Sequence, residues 1–131
     1  MNSKIVLTIQ KQLKNLTNKK FSKKYINKKI LPVINHIVSS NKKKFLIGGS
    51  QGVGKSTLVY VIKKNIQTFY NKRVLTLSLD DYYLSRKKRF SLSKKIHPLL
   101  STRGVPGTHN IKLLINHIKQ FNNSKYPINV P

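Results

Sequence analysis

Ten residues, GGSQGVGKST at positions 48–57, set glycines, a lysine and hydroxyls at a spacing suited to phosphate. Within them, Gly49-x-x-x-x-Gly54-Lys55-Ser56 has the P-loop pattern. Glycines at 49, 52 and 54 let the backbone curl until several N–H groups point into one hollow. A helix that begins there turns its positive end to the same hollow. Lys55 can reach the β- and γ-phosphates of a nucleotide, and the Ser56 hydroxyl can ligate Mg²⁺. The expected cofactors are therefore ATP and Mg²⁺, and the expected nucleotide residues are Gly49, Ser50, Gln51, Gly52, Val53, Gly54, Lys55, Ser56 and Thr57.

The second feature is a scarcity. Among 131 residues only two are acidic, against 27 Lys and Arg, and the two are adjacent: Asp80 and Asp81. They follow the apolar run RVLTLSL, residues 73–79. If that run is a strand parallel to the one before the phosphate loop, the acids face the crevice at the carboxyl ends of both strands. A carboxylate there can accept the proton of an attacking hydroxyl or help to hold Mg²⁺. The structural alternatives are a helix N-cap and an Asp turn, for which Ser or Asn would serve as well.

The elements expected to carry these groups follow from apolar spacing. Ile5, Ile9, Leu13 and Leu16 predict a helix over 3–17, and Ile26, Ile30, Val33, Ile34 and Ile37 a second, started or kinked by Pro32. KFLIGG, residues 44–49, reads as a buried strand, and Leu58, Ile62, Ile66 and Phe69 predict a helix over 55–70. With 73–79 as the next strand this is a βαβ unit and a parallel sheet. A long connection with one short helix is expected over 85–107, then a helix from Ile111 to Phe121 and a third strand opening in YPINVP, residues 126–131.

Composition narrows the class. A net charge of +25 attracts polyanions. Yet the cations are 23 Lys to 4 Arg, accompanied by 13 Asn and 14 Ile, and they are scattered along the chain. That is the mark of an A- and T-rich coding bias, not of a base-reading surface, so no specific nucleic-acid partner is expected. No cysteine excludes a disulfide framework and thiolate metal sites. No apolar run is long enough to span a bilayer, so no membrane partner and a cytoplasmic location are expected. Arg86, Lys87 and Arg89 can touch phosphate or form a solvated charge run, the second being the expectation, and His36, His97 and His117 read as structural or exposed.

Strand, P-loop, helix, strand and Asp-x-Tyr together resemble the phosphoribulokinase, uridine kinase and pantothenate kinase group of P-loop kinases. Within it, SLDDYYL and HPLLSTRGVPGTHNIKLL are most similar to plant-type D-glycerate 3-kinase and its microbial and fungal relatives, over about residues 28 to 131. RGVPGTH, residues 103–109, is the most specific part. The resemblance implies ATP at Gly49 to Thr57, Asp80 as general base and 103–110 as a wall of the acceptor pocket. Chemistry agrees in outline: the carboxylate of a hydroxy acid calls for a cationic fork, and Arg103 offers one. His109 can bond a substrate oxygen, or it and Arg103 can simply organise the loop. Tyr82 stands where the family prefers Phe, and Asn110 where it has Asp.

The expected fold is an α/β P-loop NTPase three-layer fold with an incomplete parallel sheet. Two N-terminal helices (1–40) precede the N-terminal part of a kinase domain (41–131), with a missing C-terminal half or a homodimer to complete it. The expected function is ATP-dependent phosphorylation of a small-metabolite hydroxyl, most plausibly D-glycerate. Lys55 and Asp80 are the catalytic residues, Ser56 and Asp80 the metal ligands, and Asp81, Tyr83, Arg103 and His109 the candidate acceptor contacts. The alternatives are another acceptor, or a non-catalytic nucleotide-binding fragment that sticks to RNA through its charge.

Overall fold

The computed structural model describes residues 2–123. The chain divides into two compact units, Met1–Thr76 and Leu77–Pro131.

The first unit is a helical cluster. α1 (Asn2–Thr17) turns Ile5, Val6, Ile9 and Leu13 inward. A short α2 (Lys23–Tyr25) is capped by Ser22, whose hydroxyl accepts from Tyr25 N–H at 3.1 Å. It runs through a π-helical turn (Ile26–Ile30) into α3 (Leu31–Ser39), whose Pro32 sits in the first turn, where its missing N–H costs nothing. The π turn brings Ile26, Ile30, Leu31 and Ile34 onto one buried face. α4 (Lys55–Tyr70) closes the cluster with Val61, Ile62 and Ile66. Asn65, fully buried between them, donates to Gln12 Oε1 and to the Val61 carbonyl, both at 2.7 Å, tying α4 to α1. Tyr70 reaches Asn35 at 3.2 Å and Lys72 the Val38 carbonyl at 2.9 Å, fastening the end of α4 to α3.

The expected parallel sheet is absent: among the described residues no strand forms, and 44–49 and 73–79 run without ladder hydrogen bonds. Parallel strands are stable when sheet neighbours pair them and helices cover both faces. Here Leu46 is 99 % exposed, with Phe45 and Ile47 partly so, and the apolar residue that the second run brings to the helical core is Val74. Two short unpaired runs cannot make a stable sheet. The three apolar residues Phe45, Leu46 and Ile47 carry no periodicity, and the alternation of Leu75, Leu77 and Leu79 suits a strand without supplying its partner. The third expected strand, 126–131, lies outside the described residues.

The second unit has little regular structure beyond two helices, α5 (Arg86–Lys95) and α6 (Ile111–Asn123). A 3₁₀ turn (Leu79–Tyr82) precedes α5, and another (Pro98–Ser101) follows it and packs on it. One antiparallel bridge, Tyr83 with His109, pins the chain after the first turn to the start of α6. Its hydrogen bonds run from Leu84 N–H to the Thr108 carbonyl at 2.8 Å and from Asn110 N–H to the Tyr82 carbonyl at 2.6 Å. Asn110 also caps α6, its side-chain oxygen accepting from Leu113 N–H at 3.2 Å. An Asn does that as well as an Asp.

The helical face is what holds the first unit together. Ile9 is fully buried, so Ile9→Ala should lower the unfolding free energy by about 3 kcal/mol, read by urea denaturation.

Candidate functional site

Residues 49–54 form the turn that enters α4, and every residue from 41 to 54 is exposed. Gly52 (φ +78°) and Gly54 (φ +84°) occupy the left-handed region, where a side chain is strained. Gly54 caps α4 without a side-chain hydrogen bond, so the first N–H groups of the helix have no cap of their own. Lys55 folds back over the turn: its Nζ donates to the carbonyls of Gly49 (2.8 Å) and Ser50 (2.6 Å). A Cβ on Gly49 would stand 3.3 Å from Val53 Cγ2 and 3.6 Å from Lys55 Cδ, crowding that path. The turn thus joins a cation, helix N–H groups and two exposed hydroxyl-bearing neighbours, Ser50 and Ser56, at one open surface. This is the chemistry of an anion cradle, and it fits the phosphates of a nucleotide.

The acids belong to the second unit. Asp80 and Asp81 lie in the 3₁₀ turn, where Asp81 N–H donates to the Ser78 carbonyl at 3.1 Å, and both are exposed. Neither is the N-cap of a long helix; that place before α5 belongs to Ser85, which accepts from Lys88 N–H at 3.3 Å. The turn is anchored by Tyr82, 1 % exposed, whose hydroxyl is 2.8 Å from Nδ1 of His117 on α6. Burial of the phenol and, second, the charge of Asp81 push the Tyr82 pKa above its ordinary value.

Tyr83, Arg103 and His109 come together around one ring. The Tyr83 and His109 rings lie 4.1 Å apart, tilted by 30°, and the Arg103 guanidinium carbon is 5.3 Å from the Tyr83 centroid. Nε2 of His109 is buried without a hydrogen-bond partner. Gly104 (φ +91°) and Gly107 (φ +89°) shape the loop that carries Arg103. The group offers a fixed cation, a stacked ring and an unused ring nitrogen, enough to orient an oxyanion and a hydroxyl.

Among the described residues no group of three or more His, Asp or Glu could hold a metal by itself, and no helix is long and apolar enough to cross a membrane. Spacing also misread Arg89. It was assigned to solvent with Arg86 and Lys87, yet it is 92 % buried, since only 8 % of it is exposed. The available signal was its register with Leu92 and Ser93, both half-buried on the same face of α5.

Comparison with known proteins finds relatives among kinases. The chain is 35 % identical over 97 residues to the "Uncharacterized kinase mug58" of Schizosaccharomyces pombe, covering 71 % of this chain and 35 % of that protein. It is 38 % identical over 86 residues to the "Probable ATP-dependent kinase TDA10" of Saccharomyces cerevisiae, covering 60 % and 29 %. To the chloroplastic D-glycerate 3-kinase of Arabidopsis thaliana it is 37 % identical over 71 residues, covering 53 % and 15 %. The chain is a homologue of this group of kinases, and it spans about a third or less of the length of the relatives it matches. No family model and no solved structure matches it.

The Tyr82 shift has a definite sign. The folded state keeps a proton that the unfolded chain releases, so this contribution is present below the ordinary pKa of 10.0 and is lost as the pH rises beyond it. Tyr82→Phe should cost about 1 kcal/mol at neutral pH, because His117 loses its partner, yet should lose less stability than wild type between about pH 9 and 11. Urea midpoints across that range check both.

Proposed function

We propose that the chain supplies nucleotide- and acceptor-binding residues of an ATP-dependent kinase that phosphorylates a hydroxyl of a small hydroxy acid, with D-glycerate as the acceptor. The observation that carries this reading is the homology to kinases, one of them a D-glycerate 3-kinase, in a chain that holds the Gly49–Thr57 phosphate loop. In this reading the loop residues hold the phosphates of ATP, and Lys55 exchanges its two carbonyl acceptors for phosphate oxygens as charge grows on them. Asp80 takes the proton of the acceptor hydroxyl. The hydroxyl oxygen bonds to the γ-phosphorus while the bond to the β–γ bridging oxygen breaks, and ADP leaves with that electron pair. Mg²⁺ would be held by Ser56, Asp80 and the phosphates of ATP, and when bound it neutralises phosphate charge. Arg103 and His109 orient the acceptor carboxylate and a substrate oxygen, Tyr83 positions both, and Asp81 flanks the base. The compartment in this reading is the cytoplasm.

A second reading, nucleotide binding without turnover, needs only the Gly49–Thr57 turn and no residue of the second unit. ADP release by the purified chain with Mg·ATP, with and without D-glycerate, separates the two. The kinase reading expects glycerate-dependent release that falls about 10³-fold in Asp80→Asn. ATP binding that Lys55→Ala weakens, with no release under any condition, would establish the second reading in its place.

A further inference from the structure

Arg89 is the one buried charge of the described residues, and its surroundings are unusual. α5 reads RKKRFSLSKK: six cations in ten residues and no acid. The helix turns Phe90 outward, 55 % exposed, with Lys94 Nζ 4.7 Å above its ring, while it turns Arg89 inward, 8 % exposed. Apolar packing alone would choose the opposite, since burying Phe is favourable and burying an unpaired cation is not. Buried charges in folded proteins are paired or bind a ligand. Among the described residues Arg89 Nε has no acceptor: it is buried without a hydrogen bond.

A second observation points the same way. Arg86, Lys87, Lys88 and Arg89 fill the first turn of α5, where the helix dipole is positive and disfavours cations. Four like charges at that end leave a local positive excess that an outside anion would offset. An arginine suits that anion better than a lysine would, because its planar fork pairs two oxygens of a carboxylate or phosphate at once. α5 packs on the Pro98–Ser101 turn, and Leu100 Cδ2 of that turn would stand 3.6 Å from a Cβ at Gly107, in the loop that carries Arg103. The helix that carries Arg89 is thus joined through that turn to the loop of Arg103.

We propose that Arg89 is a binding residue for an oxyanion brought by a ligand, the carboxylate of the hydroxy-acid acceptor or a phosphate group. The acceptor arm rests on the kinase reading; the anion site itself does not. An unpaired buried cation is retained at a cost to stability, so its removal should stabilise the free protein while destroying the response to ligand.

Thermal unfolding tests this without turnover. Wild type, Arg89→Gln and Lys88→Gln are compared at constant ionic strength in sodium chloride, D-glycerate or inorganic phosphate. Lys88 is exposed, and its variant carries the same net charge as Arg89→Gln, so it reports what general screening of a +25 chain contributes. We expect one of the two oxyanions, at about tenfold above its dissociation constant, to raise the wild-type Tm by about 5 °C over chloride. Lys88→Gln should keep that rise. Arg89→Gln should abolish it, with a Tm in chloride equal to or above wild type. A response to D-glycerate alone assigns the acceptor, and a response to phosphate the phosphoryl group. The proposal is overturned if Arg89→Gln lowers the Tm in chloride and keeps the oxyanion response, or if neither oxyanion exceeds chloride in wild type. A chain that fails to release ADP yet shows the Arg89-dependent rise would sink the kinase reading and leave this site standing.

Discussion

Two carboxylates among 27 cations constrain everything else in this chain. Ion pairs cannot hold the fold, because there are almost no anions to form them, and repulsion among the cations works against a compact state. What remains is apolar burial and neutral acceptors. The cations that are fixed use carbonyls or rings: Lys55 on Gly49 and Ser50, Lys72 on Val38, Lys94 over Phe90, Arg103 over Tyr83. Each arrangement leaves the positive charge itself unneutralised. A protein so built is poised to take anionic ligands, and the specificity has to come from where the backbone puts the few geometrically fixed cations.

In the first unit that placement is made by α4. Its inner face of Val61, Ile62 and Ile66 is buried against α1 and α3, and Asn65 and Tyr70 lock its rotation through Gln12 and Asn35. The helix start is then fixed, and with it the turn at Gly52 and Gly54 and the stem of Lys55. In the second unit a single bridge does comparable service. Tyr83 and His109 pair through their backbones and stack through their rings, so one contact sets both the loop that carries Arg103 and the turn that carries the acids. Tyr82, the last residue of the 3₁₀ turn, anchors the same stretch to α6 through His117.

Helices with a clear 3.6-residue period were legible. The stripes through Ile5, Ile9 and Leu13, through Ile26, Ile30 and Ile34, and through Ile62 and Ile66 are all found inward in the structure. The sheet was misread: KFLIGG is too short to show a period, and the alternation of Leu75, Leu77 and Leu79 in RVLTLSL suits a strand but cannot make one without partners far away in sequence. The turn at Gly52 and Gly54 and the helix start at Lys55 could be read because their cues are local and lie within ten residues. Arg89 could not, since the sign of a charge says nothing about which way a helix faces. That had to come from the packing of α5, whose weak apolar pattern leaves Phe90 and Arg89 to be decided by their neighbours.

The same scarcity that makes the fold hard to hold makes the site readable. In a chain rich in both signs, an exposed Asp or a buried Arg has an internal explanation ready in a nearby countercharge. Here cations abound for the acids, while among the described residues the buried Nε of Arg89 has no acceptor. Asp80 and Asp81 sit exposed in a turn that Tyr82 holds rigid, and Arg89 sits buried where a leucine would pack more favourably. The burial of Arg89 costs stability in the free protein. The compensation that the chain does not contain is what a ligand with an acidic group and a transferable proton would bring: an oxyanion for the cation and a hydroxyl for the carboxylate.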